Sequence, residues 1–169
     1  MKKLITILSV FVLMIGSQNL LLAKNTPQEE KNMQIVKLFI NEGLNKGNMK
    51  LADKIYASNY KHYWNGVIDE ERVGPDVAKY LINFVQETYD YYKATIVDIF
   101  AKEDKVTVLC TSKGNLKRSG QKVSYSSALI FRFENGKMVE GWIMIDYLGI
   151  YKQLGYTLTP PAWAQKKEK

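Results

Sequence analysis

The chain has 169 residues, 46% of them apolar and 12% aromatic, which suits one domain with a buried core and rings left over to line a pocket. Its formal charge of +7 comes from Lys and Arg residues that are scattered rather than striped, so no nucleic-acid surface is indicated. Cys110 is the only cysteine, which rules out an internal disulfide, and no zinc-spaced Cys/His cluster, glycine-rich phosphate loop or serine nucleophile elbow occurs.

Residues 1–23 read as an export signal. Lys2 and Lys3 precede an apolar stretch, Leu4 to Ile15, too short for a bilayer span of roughly 20 residues. Ala23 suits cleavage, so the mature chain is expected to begin at Lys24 and to be periplasmic or secreted, touching a membrane only through this segment if uncleaved. "TPQE" then predicts a helix start, with Thr26 as N-cap, Pro27 at the first helical position and Glu29 closing a capping box. Met33, Val36, Phe39, Ile40 and Leu44 continue it as an apolar stripe that breaks at Gly47. A short helix from Met49 to about Tyr56 follows, with Asn48 as its cap. "NYKHYWNG" reads as a short aromatic strand ending in a turn and holds His62, the only histidine. "GPDVAKYLINFVQETY" is the next helix, with Pro75 near its first position and Val77, Tyr80, Leu81, Phe84, Val85 and Thr88 on one face.

The period then changes to two. "YKATIVDIFA" and "KVTVLCTSKGNL" flank a short "KED" connection, and "VSYSSALIFRF" and "KMVEGWIMIDYL" flank "ENGK", whose Asn135-Gly136 is a strong hairpin signal. Cys110 on its strand reads as a buried, inert thiol. Helices followed by strands indicate an α+β domain with helices on one face of an antiparallel sheet. A two-residue turn at Asn135-Gly136 sets Phe131 opposite Glu140, Leu129 opposite Trp142, Ser127 opposite Met144 and Tyr125 opposite Asp146, all on one face. The other face then carries Ala128, Ile130, Ile143 and Ile145, too apolar for a solvated sheet, which predicts a homodimer. A bulge between these strands would shift the register and undo both lists. Asp146 is the one acid in the apolar run "GWIMIDYLGIYKQLG". A carboxylate so placed is either well satisfied or faces a cavity where its charge is used.

"GKMVEGWIMIDYLGIYKQLG" resembles the C-terminal signature of the SnoaL-like polyketide cyclases, also called ester cyclases, at Gly136, Lys137, Glu140, Trp142, Asp146, Gln153, Leu154 and Gly155. "NKGNMKLADKIYASNYKHY" is similar to the family's N-terminal half, and the likeness extends from about Met33 to Gly155. The resemblance implies the nuclear transport factor 2-like fold, a curved antiparallel sheet wrapped around about three N-terminal helices with a deep apolar pocket, here over residues 24–158. Residues 159–169 are then a flexible basic tail. The family's cyclases use a pocket Asp as acid/base without metal or cofactor, which maps onto Asp146. Where the family usually carries Gly-Thr-His, this chain reads "SKGNLKRSGQK", so only His62 could serve as a second proton carrier. The expected site is therefore Asp146 and His62 as catalytic groups, with Trp142, Tyr125, Ser127, Met144 and Leu129 against the substrate. Two functions follow: a cofactor-independent cyclase, isomerase or hydratase acting on a small apolar carbonyl or polycyclic compound, or a binding protein that holds a small apolar ligand in the same pocket.

Overall fold

The computed structural model describes residues 24–161; the segment expected to direct export and most of the expected basic tail lie outside the described residues. The first helix, α1 (Pro27–Leu38), begins as the sequence predicts. Thr26 Oγ1 accepts from the Glu29 amide at 3.2 Å and Glu29 Oε2 accepts from the Thr26 amide at 2.7 Å. Glu29 is itself buried, and its other oxygen accepts from the Glu103 amide at 2.7 Å, so one side chain both caps the helix and ties it to a sheet turn. The helix loosens into a π-helical stretch, Phe39–Leu44, then a 3₁₀ turn, Met49–Leu51, leads into α2 (Ala52–Ile55). Asn48 makes no side-chain capping bond there.

Strand β1 (Tyr56–Trp64) follows directly and folds back through Asn65-Gly66 to β2 (Val67–Ile68). After α3 (Pro75–Thr88) come β3 (Tyr89–Lys102), β4 (Lys105–Leu116), β5 (Lys122–Glu134) and β6 (Lys137–Ile145), and a last helix, α4 (Tyr147–Gln153). The strands form one sheet in the order β2-β1-β6-β5-β4-β3, antiparallel except where β1 lies parallel to β6. This is the expected α+β cone: the sheet curls over α1 and α3, and its inner face meets them in a core centred on Phe39, Ile40, Tyr56, Tyr60, Phe131 and Met138. Among the described residues no helix is long and apolar enough to cross a membrane.

The β5–β6 hairpin departs from the sequence expectation in one respect. Its turn is the predicted one: Asn135 and Gly136 have positive φ, and Glu134 pairs with Lys137 and Phe133 with Met138. The register then slips, because Arg132 pairs with Glu140 and leaves Val139 as an extra residue on β6. Beyond that bulge Phe131 faces Gly141, Leu129 faces Ile143 and Ser127 faces Ile145. A one-residue slip exchanges the two faces of a strand. Ile143 and Ile145 therefore turn inward, whereas Trp142 stacks on Tyr63 (ring centroids 5.2 Å apart) and Met144 is exposed on the outer face. The bulge also buries both Met138 and Val139.

Gly141 becomes an inward residue by the same slip. A Cβ there would overlap the Tyr60 hydroxyl and crowd the Phe131 ring. The hydroxyl is thus admitted to the core by the absent side chain. Gly141→Ala is expected to cost about 1–3 kcal/mol of stability through overpacking. Most of that cost should vanish in a Tyr60→Phe background, where the clashing oxygen is gone. Urea melts of the four proteins in this cycle check it; an undiminished cost in the Tyr60→Phe background would mean that the hydroxyl is not the obstacle.

Candidate functional site

Between the inner sheet face and α3 lies a cavity of about 260 Å³. Phe39, Ile40, Leu81, Ala94, Leu129 and Ile143 make most of its wall apolar. The polar part is compact and comes from neighbouring strands. Ser112 pairs with Tyr125 and Cys110 with Ser127 across β4 and β5, and alternation points all four inward. Tyr92 on β3 joins them, its hydroxyl 3.0 Å from Ser112 Oγ. Burial raises the Tyr125 hydroxyl far above the usual phenol range, with the hydroxyls of Tyr92 and Tyr89 as neighbours that also favour its protonated form. Burial raises Tyr92 as well, and pushes the Cys110 thiol up to about 11. The patch is therefore a set of neutral donors at ordinary pH. Gly114 helps to build it, because the Tyr89 ring occupies the space a Cβ at that position would need.

The mouth is different in character. Tyr80, Phe84 and Tyr147 line the cavity and are also exposed. The helical face predicted for α3 is thus divided: Leu81 and Val85 are buried in the core, while Tyr80 and Phe84 rim the opening. The Arg72 guanidinium lies 3.9 Å from the Tyr80 ring centroid and donates to Asp69 at 3.3 Å. Asp69 Oδ2 also accepts from Trp64 Nε1 at 3.3 Å, and Oδ1 accepts from the Glu71 and Arg72 amides, each at 3.1 Å. Burial pushes the Asp69 carboxyl up, but these bonds outweigh it and hold the carboxyl below its usual range. Asp69 is thus a satisfied loop anchor rather than a free base.

The expected site residues are split by this geometry. Tyr125, Ser127 and Leu129 line the cavity. Trp142 and Met144 do not; the bulge turns both to the outer face. His62 is fully buried beside the cavity, packed edge-on against the wall residue Trp64 with ring centroids 4.6 Å apart. Its Nδ1 is 3.0 Å from the Tyr60 hydroxyl, and its Nε2 finds no protein partner. Burial pushes its pKa down to about 4, against the pull of the Asp69 charge, so the imidazole is neutral.

Asp146 lies outside the cavity wall, exposed where β6 ends. Its Oδ1 accepts from the Gly149 amide at 2.8 Å and caps α4. Gly149 makes this possible, since a Cβ there would overlap the carboxylate. Gln153 fastens the other end of the helix: its amide accepts from the Ser124 amide and donates to the Ser124 carbonyl, both at 2.8 Å, as a strand neighbour would. Together they seat α4 so that Tyr147 enters the cavity wall and Ile150 and Leu154 pack on Val85, Tyr89 and Val123.

Sequence reasoning passed over Trp64, Arg72, Tyr92, Ser112 and Tyr147. The period-two pattern Val106, Val108, Cys110, Ser112 carried the signal for Ser112, since the first three read as core. Nothing local marks Arg72, which reaches the mouth through loop geometry. Among the described residues no group of three His, Cys, Asp or Glu side chains could hold a metal ion.

Folded His62 titrates near 4, below its ordinary value of 6.5. Between these values the unfolded chain binds the proton that the folded one refuses, so stability falls as pH drops through this window. The loss should reach about 2 kcal/mol by pH 5, at about 1.4 kcal/mol per unit. Urea melts at pH 7 and pH 5 measure it, and His62→Gln should flatten the difference; an equally steep fall in that variant would assign it to other groups.

The SnoaL-like polyketide cyclase family model matches residues 34–154. Among solved structures, a candidate SnoaL-like polyketide cyclase from Jannaschia sp. CCS1 is 17% identical, with a TM-score of 0.68 over 82% of this chain and 99% of the other. TsrD from Streptomyces laurentii is 21% identical, with a TM-score of 0.68 over 78% and 98%. An LEH-like epoxide hydrolase from M. tuberculosis is 16% identical, with a TM-score of 0.62 over 76% and 92%. At these identities the likeness carries the fold. No curated protein matches the chain.

Proposed function

The chain belongs to the SnoaL-like polyketide cyclase family, and from that premise we propose that it is an exported, dimeric protein that binds a compact cyclic small molecule in its cavity without transforming it. The supporting observation is the cavity's composition: an apolar wall of about 260 Å³ with a patch of neutral hydroxyls and no carboxylate among its lining residues. Acid/base catalysis of the family type asks for a proton acceptor within hydrogen-bond reach of the substrate, and Asp146 is committed to capping a helix. An engineered cavity of about 150 Å³ holds benzene, so this one suits one or two rings rather than an extended polycycle.

A second reading, catalysis through His62, has one observation in its favour: a buried Nε2 without a protein partner. Incubation with one- and two-ring ketones and epoxides, followed by mass spectrometry, separates the two readings. Binding detected by calorimetry with unchanged compound is expected. A product that persists in Asp146→Asn and is lost in His62→Gln would install the second reading, and a product lost in Asp146→Asn would restore the acid. As a cap, Asp146 should cost about 1 kcal/mol when replaced by Ala and little when replaced by Asn.

The homodimer is proposed on the corrected outer face. Phe100, Thr107, Ile130, Trp142 and Tyr63 form one row across five strands, and the exposed Leu109 and Met144 lie in the next row. Such a patch is large for a solvated sheet. Light scattering at micromolar concentration should give twice the chain mass, and a monomer would count against the face. Export rests on residues 1–23 alone; intact-mass measurement of secreted or periplasmic protein should give a chain starting at Lys24, and an intact Met1 in the membrane fraction would refute cleavage.

A further inference from the structure

We propose that the rim of the cavity mouth, together with the β4–β5 turn, is a docking surface for an anionic lipid bilayer. The surface stands apart from the question of what the cavity holds.

Its apolar part is a band of exposed rings on two helices and on the chain that follows them. Tyr80 and Phe84 on α3 have ring centroids 6.3 Å apart, and Tyr151 on α4 lies 5.4 Å from Tyr156. Tyr147 links the two pairs: burial raises its hydroxyl, and the hydroxyls of Tyr151, Tyr89 and Tyr80 are near enough to add to the effect. Leu148, next in the chain, is exposed, and the band runs on into Tyr156 (65% exposed) and Leu158 (70% exposed). Apolar surface gathered in this way, rather than scattered singly, marks a contact site.

Its charged part is assembled by the fold from cations that lie apart in the sequence. The Lys117 amide donates to the Thr88 carbonyl at 3.0 Å, which fixes the β4–β5 turn, with Arg118 in it, at the end of α3. Lys122 pairs with Asn115 where β5 begins, next to Val123, on which Ile150 and Leu154 of the α4 segment pack. Lys152 stands on α4 itself, between Tyr151 and the Gln153 that bonds the Ser124 backbone. All four are exposed. The ion pairs of the described residues involve other cations, Lys46, Arg72, Lys79 and Arg132. Glu87 and Asp90 flank Thr88 in the chain, and Asp146 at the start of α4 is engaged on the Gly149 amide. Lys113, which shares a groove with Lys122 and Gln153, adds a further cation, so positive charge prevails along this edge. The acids Glu70, Glu71 and Asp76 belong to the opposite end of α3.

The residue types choose the partner. Tyrosine, with an apolar ring and a polar tip, is a side chain of the membrane–water boundary. Uncompensated Lys and Arg beside it meet anionic headgroups, each giving about fivefold in binding. The core of a protein–protein interface is instead poor in lysine, and a second copy seated here by a two-fold axis would bring the same uncompensated cations into one interface. Docked by this surface, the cavity mouth faces the bilayer.

Co-sedimentation of the mature chain with vesicles tests this, using phosphatidylcholine alone and phosphatidylcholine with phosphatidylglycerol in equal parts. We expect binding to the mixed vesicles that weakens as salt is raised, and little binding to the neutral ones. Arg118→Gln with Lys152→Gln should weaken it about twenty-five-fold. Lys31→Gln with Lys105→Gln removes the same charge around the β3–β4 turn, at the opposite end of β4, and should leave binding within about twofold. Phe84→Ser with Tyr151→Ser should weaken binding while circular dichroism stays unchanged. No binding to the mixed vesicles, equally tight binding to the neutral ones, equal losses in the two charge pairs, or undiminished binding in the aromatic pair would each overturn the proposal. If the wild-type protein ignores the vesicles and the aromatic pair halves the mass seen by light scattering, the surface belongs to a second copy instead.

Discussion

One extra residue on β6 orders the rest of the molecule. At Val139 the hairpin slips by one position, and every side chain beyond it changes face. The slip brings Gly141 inward, where its missing side chain admits the Tyr60 hydroxyl; that hydroxyl in turn meets His62 Nδ1. It brings Ile143 and Ile145 to the cavity wall and sends Trp142 out to stack on Tyr63. The apolar wall, the buried Tyr60–His62 pair and the aromatic outer face are therefore one decision made at one bulge.

The polar groups left inside follow a common rule. Each is either satisfied by a local partner or kept neutral by burial. Glu29 spends both oxygens on backbone amides, Asp69 spends both on Trp64, Glu71 and Arg72, and the tyrosines and His62 remain uncharged because charging them would be expensive. Carboxylates and cations thus have structural duties at the cavity's margins. What remains polar on the wall is a few neutral hydroxyls, those of Tyr92 and Ser112 bonded to each other.

Much of this was legible in the residues. The Thr26–Glu29 capping box, the α3 start at Pro75 and the Asn135-Gly136 turn are local devices, decided within four residues, and all are realised. The α+β order and the family likeness came from longer patterns and hold as well. The cavity list fared unevenly for a physical reason. Tyr125, Ser127 and Leu129 sit on β5, whose alternation is uninterrupted, whereas Trp142 and Met144 lie beyond the bulge on β6. A bulge depends on what the neighbouring strand and the helices beneath offer to bury, here Met138 and Val139 together, and no local residue pattern announces it. Arg72 and Trp64 were illegible for a similar reason, since Asp69 brings them together only once the loop is folded.

The acid in the C-terminal motif shows how a structural residue can still shape a site. Asp146 stands where β6 must stop and the chain must turn into a helix. A carboxylate with no side chain at Gly149 in its way is the group that can cap that turn. Gln153 then occupies the place a further strand residue would have taken beside Ser124. Between these two fastenings α4 has little freedom to shift, and Tyr147 at its start is held in the cavity wall. Asp146 therefore bears on the cavity through the helix it caps, whose first residue is Tyr147, and its placement at the end of an apolar run matches the turn the chain makes there.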